Sequence, residues 1–273
     1  MSERLDELKA RIAALEEQKR LPDIVPLQRE AADVTGEEYG ADSALYVAAL
    51  NELGSLLRAL KQLDESEEAF LKGAGIEGRV RGTDENADYA TTINNLAGTY
   101  RLMGQYEKAE ALFKESMDIY ERTVGTEHFV YLSALNNLGL VYQDLKRYDE
   151  ARDLHQHVLA VLEKGGKKDA ILGATLNNLA SVSMATGRYG EAIGYLEQAL
   201  ALYEQTSGKE TVFYYTGLNN LAAAHFMNHQ FADAARLYSQ ALTTIERVVG
   251  TSHPDWVRTA QYLARSRKEA AAR

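Results

Sequence analysis

The residues Ile93-Asn94-Asn95-Leu96-Ala97 form a phrase that this chain repeats with little change. Three further copies are Leu135-Asn136-Asn137-Leu138-Gly139, Leu176-Asn177-Asn178-Leu179-Ala180 and Leu218-Asn219-Asn220-Leu221-Ala222. An amide residue also stands in this setting at Asn51 and Gln261, so the six positions follow at intervals of 43, 42, 41, 42 and 42 residues. A period of this kind indicates stacked supersecondary units, because one unit cannot bury its apolar face alone.

Each repeat has the apolar spacing of two helices. Ile93, Leu96, Ala97 and Tyr100 fall at i, i+3, i+4 and i+7, the spacing of one buried helical stripe. A second stripe follows after Gly104, formed by Ala109, Leu112, Phe113 and Tyr120. No stretch alternates with period two for long enough to predict a strand. The sequence therefore predicts an all-α fold.

The order of residues in each pair resembles a tetratricopeptide repeat, in which Leu-Gly or Leu-Ala and then Tyr are followed by Ala-x-x-x-Phe. Here it reads Leu96-Ala97-x-x-Tyr100, then Ala109-x-x-x-Phe113. The resemblance implies a right-handed superhelical solenoid of helix-turn-helix units. The ordinary period is about 34 residues, so each repeat here has roughly eight more, which is about two helical turns.

The longer period, the Leu-Asn-Asn-Leu phrase and the turn Gly250-Thr251-Ser252-His253-Pro254-Asp255 together resemble the repeat domain of kinesin light chains. The resemblance covers residues 41–273 and implies a scaffold that binds peptides. Kinesin light chains also carry a long heptad segment, and this chain has only a short candidate. Membership in a motor complex is therefore not supported.

We expect three regions in the chain. Residues 1–40 are predicted to form an N-terminal capping hairpin, in which a helix that ends before Pro22 and Pro26 pairs with residues 27–35; dimerisation is the alternative. Its short heptad pattern consists of Leu5, Leu8, Ile12 and Leu15. Residues 41–255 are predicted to form five repeats, and residues 256–273 a C-terminal capping helix.

Composition excludes several classes of protein. There is no cysteine, so neither a disulfide framework nor a thiolate metal site is available. The net charge of -10 disfavours a nucleic-acid partner. No apolar run is long enough to span a membrane and no leader is recognisable, so we expect a cytoplasmic protein without a membrane partner. The acidic chain has one basic end, which indicates either steering of an anionic ligand or a solvated helix terminus. Its basic residues are Arg258, Arg265, Arg267, Lys268 and Arg273.

No set of residues predicts catalysis. His225 and His229 lie four apart, but the glutamate of a His-Glu-x-x-His zinc site is absent, which favours structural roles for both. No nucleophile-base-acid set and no glycine-rich phosphate loop is present. We therefore expect no enzyme, no metal and no cofactor.

The asparagine pairs are the first candidate site. On a helical wheel Asn94 and Asn95 lie opposite the buried stripe, on the face that lines the concave groove of tetratricopeptide folds. Asparagine costs roughly 0.5–0.7 kcal/mol relative to alanine inside a helix, so its repetition asks for a compensating interaction. The amides either grip an extended peptide backbone or bond one another between neighbouring helices. The eight candidates are Asn94, Asn95, Asn136, Asn137, Asn177, Asn178, Asn219 and Asn220.

Specificity is expected from other groove positions, which differ along the array. The N-terminal half offers Arg58 and Arg101, and the C-terminal half offers Met184, Phe226, Arg258 and Arg265. These predict a ligand with acidic residues close to an apolar anchor, although Met and Phe at helical spacing are also common packing residues. The lysine-rich carboxylate clamp of chaperone-binding tetratricopeptide domains is missing, because asparagine fills its positions.

Two functions are compatible with these residues. The first is a noncatalytic scaffold or adaptor that binds an extended segment of a partner protein in an asparagine-lined groove. The alternative is a ligand-gated regulatory sensor, in which a small peptide or metabolite changes the superhelical pitch. The sequence leaves homo-oligomerisation open.

Overall fold

The computed structural model describes residues 3–18, 20–83, 86–166 and 168–272, and every regular element in these ranges is an α-helix. The all-α repeat fold is therefore confirmed. The thirteen helices of the described ranges are α1 (Glu3–Glu17), α2 (Leu21–Tyr39), α3 (Ala44–Ala59), α4 (Leu63–Arg81), α5 (Ala87–Leu102), α6 (Tyr106–Thr123), α7 (Phe129–Asp144), α8 (Tyr148–Lys164), α9 (Ala170–Ala185), α10 (Tyr189–Ser207), α11 (Val212–Met227), α12 (Phe231–Val248) and α13 (Pro254–Ala271).

The helices form two compact units, residues 1–145 and residues 146–273. In the first unit each helix from α1 to α7 packs on the next one along the chain. Leu5, Leu8 and Ile24 are buried between α1 and α2, and Ile93 and Tyr120 are buried between α5 and α6. This sequential burial is what a stack of repeats requires.

The second unit contains α8 to α13, again packed in chain order. One core cluster of this unit extends from α9 to α13 and includes Leu196, Leu221, Ile245 and Leu263. Each helix from α9 to α13 thus contributes apolar residues to the same cluster.

The joints between helices explain the regularity of the array. The first helix of each repeat begins at a side chain that accepts a hydrogen bond from a backbone N–H of the first turn. These caps are Ser43, Asn86, His128, Asp169, Thr211 and His253. The helices α3, α5, α7, α9 and α11 then close on a residue with positive φ, at Lys61, Gly104, Lys146, Gly187 and His229.

The predicted helix bounds differ from the structure near the N-terminal end of the chain. The helix after α1 begins at Leu21 and not at residue 27, with Pro22 in its first turn and Pro26 inside it. Proline is tolerated in the first turn of a helix because those N–H groups lack intrahelical partners. The terminal helix begins at Pro254, which lies in its first turn. Each of α3, α5, α7, α9 and α11 is 16 residues long.

Candidate functional site

The second unit contains a cavity of about 560 Å³ between α9, α11, α12 and α13. Its walls include six of the residues proposed from the sequence. These are Asn219 and Asn220, the apolar Met184 and Phe226, and the basic Arg258 and Arg265. The fold thus brings the C-terminal half of the predicted groove residues to one place.

The apolar part of the cavity is built around Phe226 near the end of α11. Its ring lies 5.1 Å from the Phe231 ring, centroid to centroid, in an edge-to-face arrangement. Phe226 and Met184 are partly buried against the core, whereas Met227 is 46% exposed. Phe226 therefore packs on the core and also faces the cavity. These are the two positions, core and groove, that the sequence left open for it.

Arg265 carries the positive charge of the cavity. Its guanidinium carbon lies 4.9 Å from the centroid of the Phe226 ring, within the range of a cation-π interaction. Among the residues that the structure describes, no carboxylate lies within salt-bridge distance of Arg265. The charge is therefore available to an anionic group of a ligand.

Arg258 has a different environment, although it lies on the same helix. Its guanidinium donates to the carboxylate of Asp255 at 2.5 Å. The Tyr215 hydroxyl donates to the same carboxylate at 3.1 Å, and burial, followed by this hydrogen bond, raises the pKa of Tyr215. Because Asp255 offsets the charge of Arg258, the net charge contributed by these two arginines and Asp255 is that of one cation.

Three tyrosines, Tyr215, Tyr238 and Tyr262, complete the wall. The rings of Tyr238 and Tyr262 lie 5.6 Å apart, centroid to centroid. Burial, followed by the proximity of Tyr262, raises the pKa of Tyr238 to about 12, so its hydroxyl stays neutral at physiological pH. Sequence reasoning missed Tyr238, which looks like an ordinary repeat residue until the helices pack. It also missed Asp255, for which the i,i+3 spacing to Arg258 was the available signal.

The amides in this cavity also bond neighbouring helices. Asn219 accepts a hydrogen bond from the Thr259 hydroxyl at 3.2 Å, and the Asn220 amide nitrogen lies 3.4 Å from the Asn177 carbonyl oxygen. Asn177 itself donates to the backbone of Gly173 at 2.8 Å. The interhelix alternative is thus observed for both members of the pair Asn219 and Asn220 and for Asn177.

The second asparagines of the middle repeats behave differently. The side chains of Asn137 and Asn178 are partly exposed and make no hydrogen bond within the described ranges. Asn136, by contrast, is only 6% exposed. In both of these pairs, the second asparagine is therefore the one whose side-chain N–H groups and carbonyl oxygen are free to bond a ligand.

In the first unit, Asn51 shows the same interhelix bond, since its amide donates to the Thr92 hydroxyl at 2.8 Å. The carbonyl oxygen of Asn94 is buried with no partner among the described residues. Asn95 is partly exposed, and its backbone carbonyl accepts from Arg58 at 2.9 Å.

The two predicted arginines of the first unit are not equivalent. Arg101 forms an ion pair with Asp144 at 2.6 Å, and the two side chains are 27% and 31% exposed. Arg58 lies against Gly98, where an added Cβ would stand 2.6 Å from its guanidinium nitrogen. Burial lowers the pKa of Arg58 from its usual value, and no described carboxylate pairs with it. Of the two, Arg58 is the cation without an acidic partner.

The two histidines that lie four residues apart, His225 and His229, have local roles. The His225 ring nitrogen lies 2.8 Å from the Gln230 carbonyl oxygen, and His229 occupies the positive-φ turn position. Within the described ranges, no group of three or more His, Asp or Glu side chains is placed to hold a metal ion.

Among the helices that the structure describes, none has the length and apolar character needed to cross a membrane.

Comparison with known families identifies the class of protein that this geometry represents. One tetratricopeptide repeat model matches residues 88–164 and 171–243, and a second matches residues 47–78. Because these matches cover more than half of the chain, the protein belongs to the tetratricopeptide repeat family. Members of this family generally mediate protein–protein interactions.

Relatives in sequence confirm the resemblance to kinesin light chains. Protein KINESIN LIGHT CHAIN-RELATED 1 of Arabidopsis thaliana is 28% identical over 237 residues, which cover 71% of this chain and 38% of that protein. KINESIN LIGHT CHAIN-RELATED 2 of the same organism is 23% identical over 80% of this chain and 33% of that protein. The secreted RxLR effector protein RXLR-C07 of Plasmopara halstedii is 25% identical over 63% of this chain and 53% of the effector. The chain thus spans about half or less of the length of these relatives.

Solved structures agree on the fold. BtubC (BKLC) from P. vanneervenii superposes with a TM-score of 0.66 at 19% identity, covering 78% of this chain and 85% of that chain. Kinesin light chain TPR-like repeats from Podosopora anserina superpose with a TM-score of 0.63 at 24% identity, covering 73% and 94%. At these identities the likeness concerns the helical repeat fold alone.

Proposed function

We propose that this protein is a noncatalytic adaptor that binds an extended segment of a partner protein, with the cavity of the second unit holding an apolar anchor of that segment. The observation that carries the proposal is the position of Arg265, an unpaired cation directly beside the Phe226 ring. A ligand that satisfies both groups has an apolar side chain and a carboxylate close together.

The size and lining of the cavity support an anchor of this kind. Its volume of about 560 Å³ lies within the roughly 300–1,000 Å³ of small-ligand pockets, which are mostly apolar with a few placed polar groups. Aromatic and methionine side chains such as Phe226 and Met184 are typical of such walls. An anchor inserted here is removed from water on several sides, which is the usual geometry of an energetically dominant contact.

The amides support contact with the backbone of an extended segment. Asn219 and Asn220 line the cavity, and a carboxamide offers both donors and an acceptor to a peptide unit. Their bonds to neighbouring helices hold the side chains in place, which lowers the entropy lost when a ligand binds. Backbone contacts of this type require little of the ligand sequence, so the anchor and the acidic residue supply the specificity.

The experiment is a titration of the full chain with three short peptides that share one Leu or Trp anchor and differ in its neighbours: Asp, Ser or Lys. We expect the order Asp, Ser, Lys in affinity, because Arg265 is the uncompensated charge. Arg265→Gln should remove the preference for Asp, and Arg267→Gln is the matched control, since this arginine is exposed on the same helix and does not line the cavity. Preference for the Lys peptide, or equal effects of the two substitutions, would refute the proposal.

A further inference from the structure

The first unit contains a larger groove, of about 920 Å³, that the function proposed above does not use. Its floor is a face of α2 and its walls are α1 and α3. The floor residues Ile24, Gln28, Ala31 and Thr35 recur at i, i+4, i+7 and i+11. The groove therefore follows α2 for about 16 Å, or three helical turns.

The walls leave room for an incoming helix. Small side chains line them, at Ala13 on α1 and at Ala48, Ala49 and Ser55 on α3. No strand edge lines the groove in the part of the chain that the structure describes, so an added strand would find no backbone partners. Apolar grooves between helices are the surfaces that take amphipathic helices.

The two ends of the groove differ in character. Short connections join α1, α2 and α3, so α1 and α3 run in the same direction and α2 runs against them. At the end where α3 begins, Leu45 is 54% exposed and Tyr39 is 37% exposed. Toward the opposite end, the lining includes Glu16 in the last turn of α1 and Glu52 just past the middle of α3. One end is apolar and the other is acidic.

The carboxylates at the acidic end have no cationic partner. Glu16 is exposed, and Glu52 accepts a hydrogen bond from Gln28 at 2.9 Å. Within the described ranges, no Lys or Arg lies within salt-bridge distance of either one. Lys9 is the basic residue of the lining and precedes Glu16 on α1 by two turns. A cation on the occupant is therefore favoured at the Glu16 end.

A buried acceptor also lies at the groove. Asn51 lines it, and the carbonyl oxygen of its side chain is buried without a hydrogen-bond partner among the described residues. A buried acceptor left unpaired costs about 1–3 kcal/mol. Because this oxygen has almost no accessible surface, an occupant would reach it only if the Asn51 side chain turned toward the groove.

We propose that this groove docks one amphipathic helix of a partner protein, about three turns long, with an apolar face toward α2 and Lys or Arg in the turn beside Glu16 and Glu52. The site is separate from the cavity at Phe226 and uses different residues. An adaptor with both sites holds an extended segment at one and a helix at the other.

The probe is a synthetic helical peptide of about three turns, with Leu and Ala along one face and two Lys in its last turn. A second peptide carries the two Lys in its first turn, which covers both directions of docking. A third and a fourth replace Lys by Glu. Fluorescence anisotropy with the full chain should show binding of one Lys peptide, at least tenfold tighter than its Glu counterpart.

Substitutions test the location. Ala48→Trp should fill the groove and weaken the Lys peptide at least tenfold, whereas Ala59→Trp, at an exposed position of the same helix outside the lining, should leave it unchanged. Glu16→Gln combined with Glu52→Gln should weaken binding severalfold and reduce its salt dependence. Glu17→Gln is the control for charge. Circular dichroism melting confirms that each variant is folded.

Four results would overturn the proposal. They are no binding of either Lys peptide, equal binding of the Glu peptides, equal effects of Ala48→Trp and Ala59→Trp, and a dimer in sedimentation that Ala48→Trp abolishes, which would assign the groove to a second copy of the chain. None of them bears on the Phe226 cavity, which the Arg265 variants test separately.

Discussion

The guanidinium carbon of Arg265 lies 4.9 Å from the centroid of the Phe226 ring, so α13 places a cation over an aromatic side chain of α11. Arg258, about two turns earlier on α13, is held instead by Asp255. One helix thus presents one compensated and one uncompensated charge to the same cavity. This difference decides which substitutions should affect binding.

Arg265→Gln is expected to weaken an acidic, anchor-containing peptide by about tenfold, mainly by slowing association. The attraction should fall as salt rises toward physiological strength, where the Debye length is about 8 Å. Stopped-flow binding at two salt concentrations measures both effects. Arg258→Gln should act less, because Asp255 already neutralises Arg258; an equal or larger effect would contradict this assignment.

Phe226→Ala is expected to act on release of the peptide. Removing the ring takes away apolar contact area that forms only after docking, so the dissociation rate should rise by about tenfold or more with little change in association. Surface plasmon resonance separates the two rates. Because Phe226 also packs on Phe231, Phe226→Leu serves as the control that keeps most of the packing.

Asn137→Ala combined with Asn178→Ala is expected to leave the melting temperature unchanged or slightly raised. These side chains make no hydrogen bond among the described residues, and alanine is the better helix former. Asn219→Ala is the contrast, since it removes the acceptor of Thr259 and should cost about 1 kcal/mol. Thermal melts followed by circular dichroism test both, and a large loss in the double variant would reassign Asn137 and Asn178 to structural roles.

Lys61→Gly is expected to stabilise the first unit by about 0.5–1 kcal/mol. Lys61 has φ of 64°, a conformation that costs a residue with a Cβ roughly 1–2 kcal/mol, partly offset by the entropy of glycine. Urea unfolding measures the change. Gly104 holds the corresponding turn with φ of 75°, so Gly104→Ala should destabilise, and the same sign for both variants would be inconsistent with this account.

His155 should make the protein sensitive to acid. It is fully buried, and desolvation lowers its pKa from 6.5 to about 4. The unfolded chain therefore takes up a proton at higher pH than the folded one, and stability falls as pH drops from about 6.5 to 4, by about 3 kcal/mol in total. His155→Phe should reduce this slope, whereas His157→Gln, at an exposed position of the same helix, should not. Unfolding measured at several pH values decides the matter.

The repeat fold was predictable from the chain alone for a physical reason. The apolar stripe of Ile93, Leu96, Ala97 and Tyr100 depends only on residues of one helix. Because this stripe recurs about every 42 residues, neighbouring repeats must share their buried faces. Helix ends were harder to predict at Pro26, because one lost backbone bond is tolerated when the surrounding helix is packed on both α1 and α3.

The sequence predicted which types of residue form the candidate site, but not which atoms each of them contacts there. The sequence by itself determined that amides, arginines and apolar side chains recur on the exposed face of the first helices. Only the tertiary structure decided that Asn219 bonds Thr259 across helices, that the Tyr215 hydroxyl donates to Asp255, and that Arg265 lies over the Phe226 ring. The reason is that periodicity depends on neighbours within one helix. The charge and hydrogen-bond state of a side chain depends instead on atoms that packing brings from about 40 residues away in the chain, such as Asn219 and Thr259.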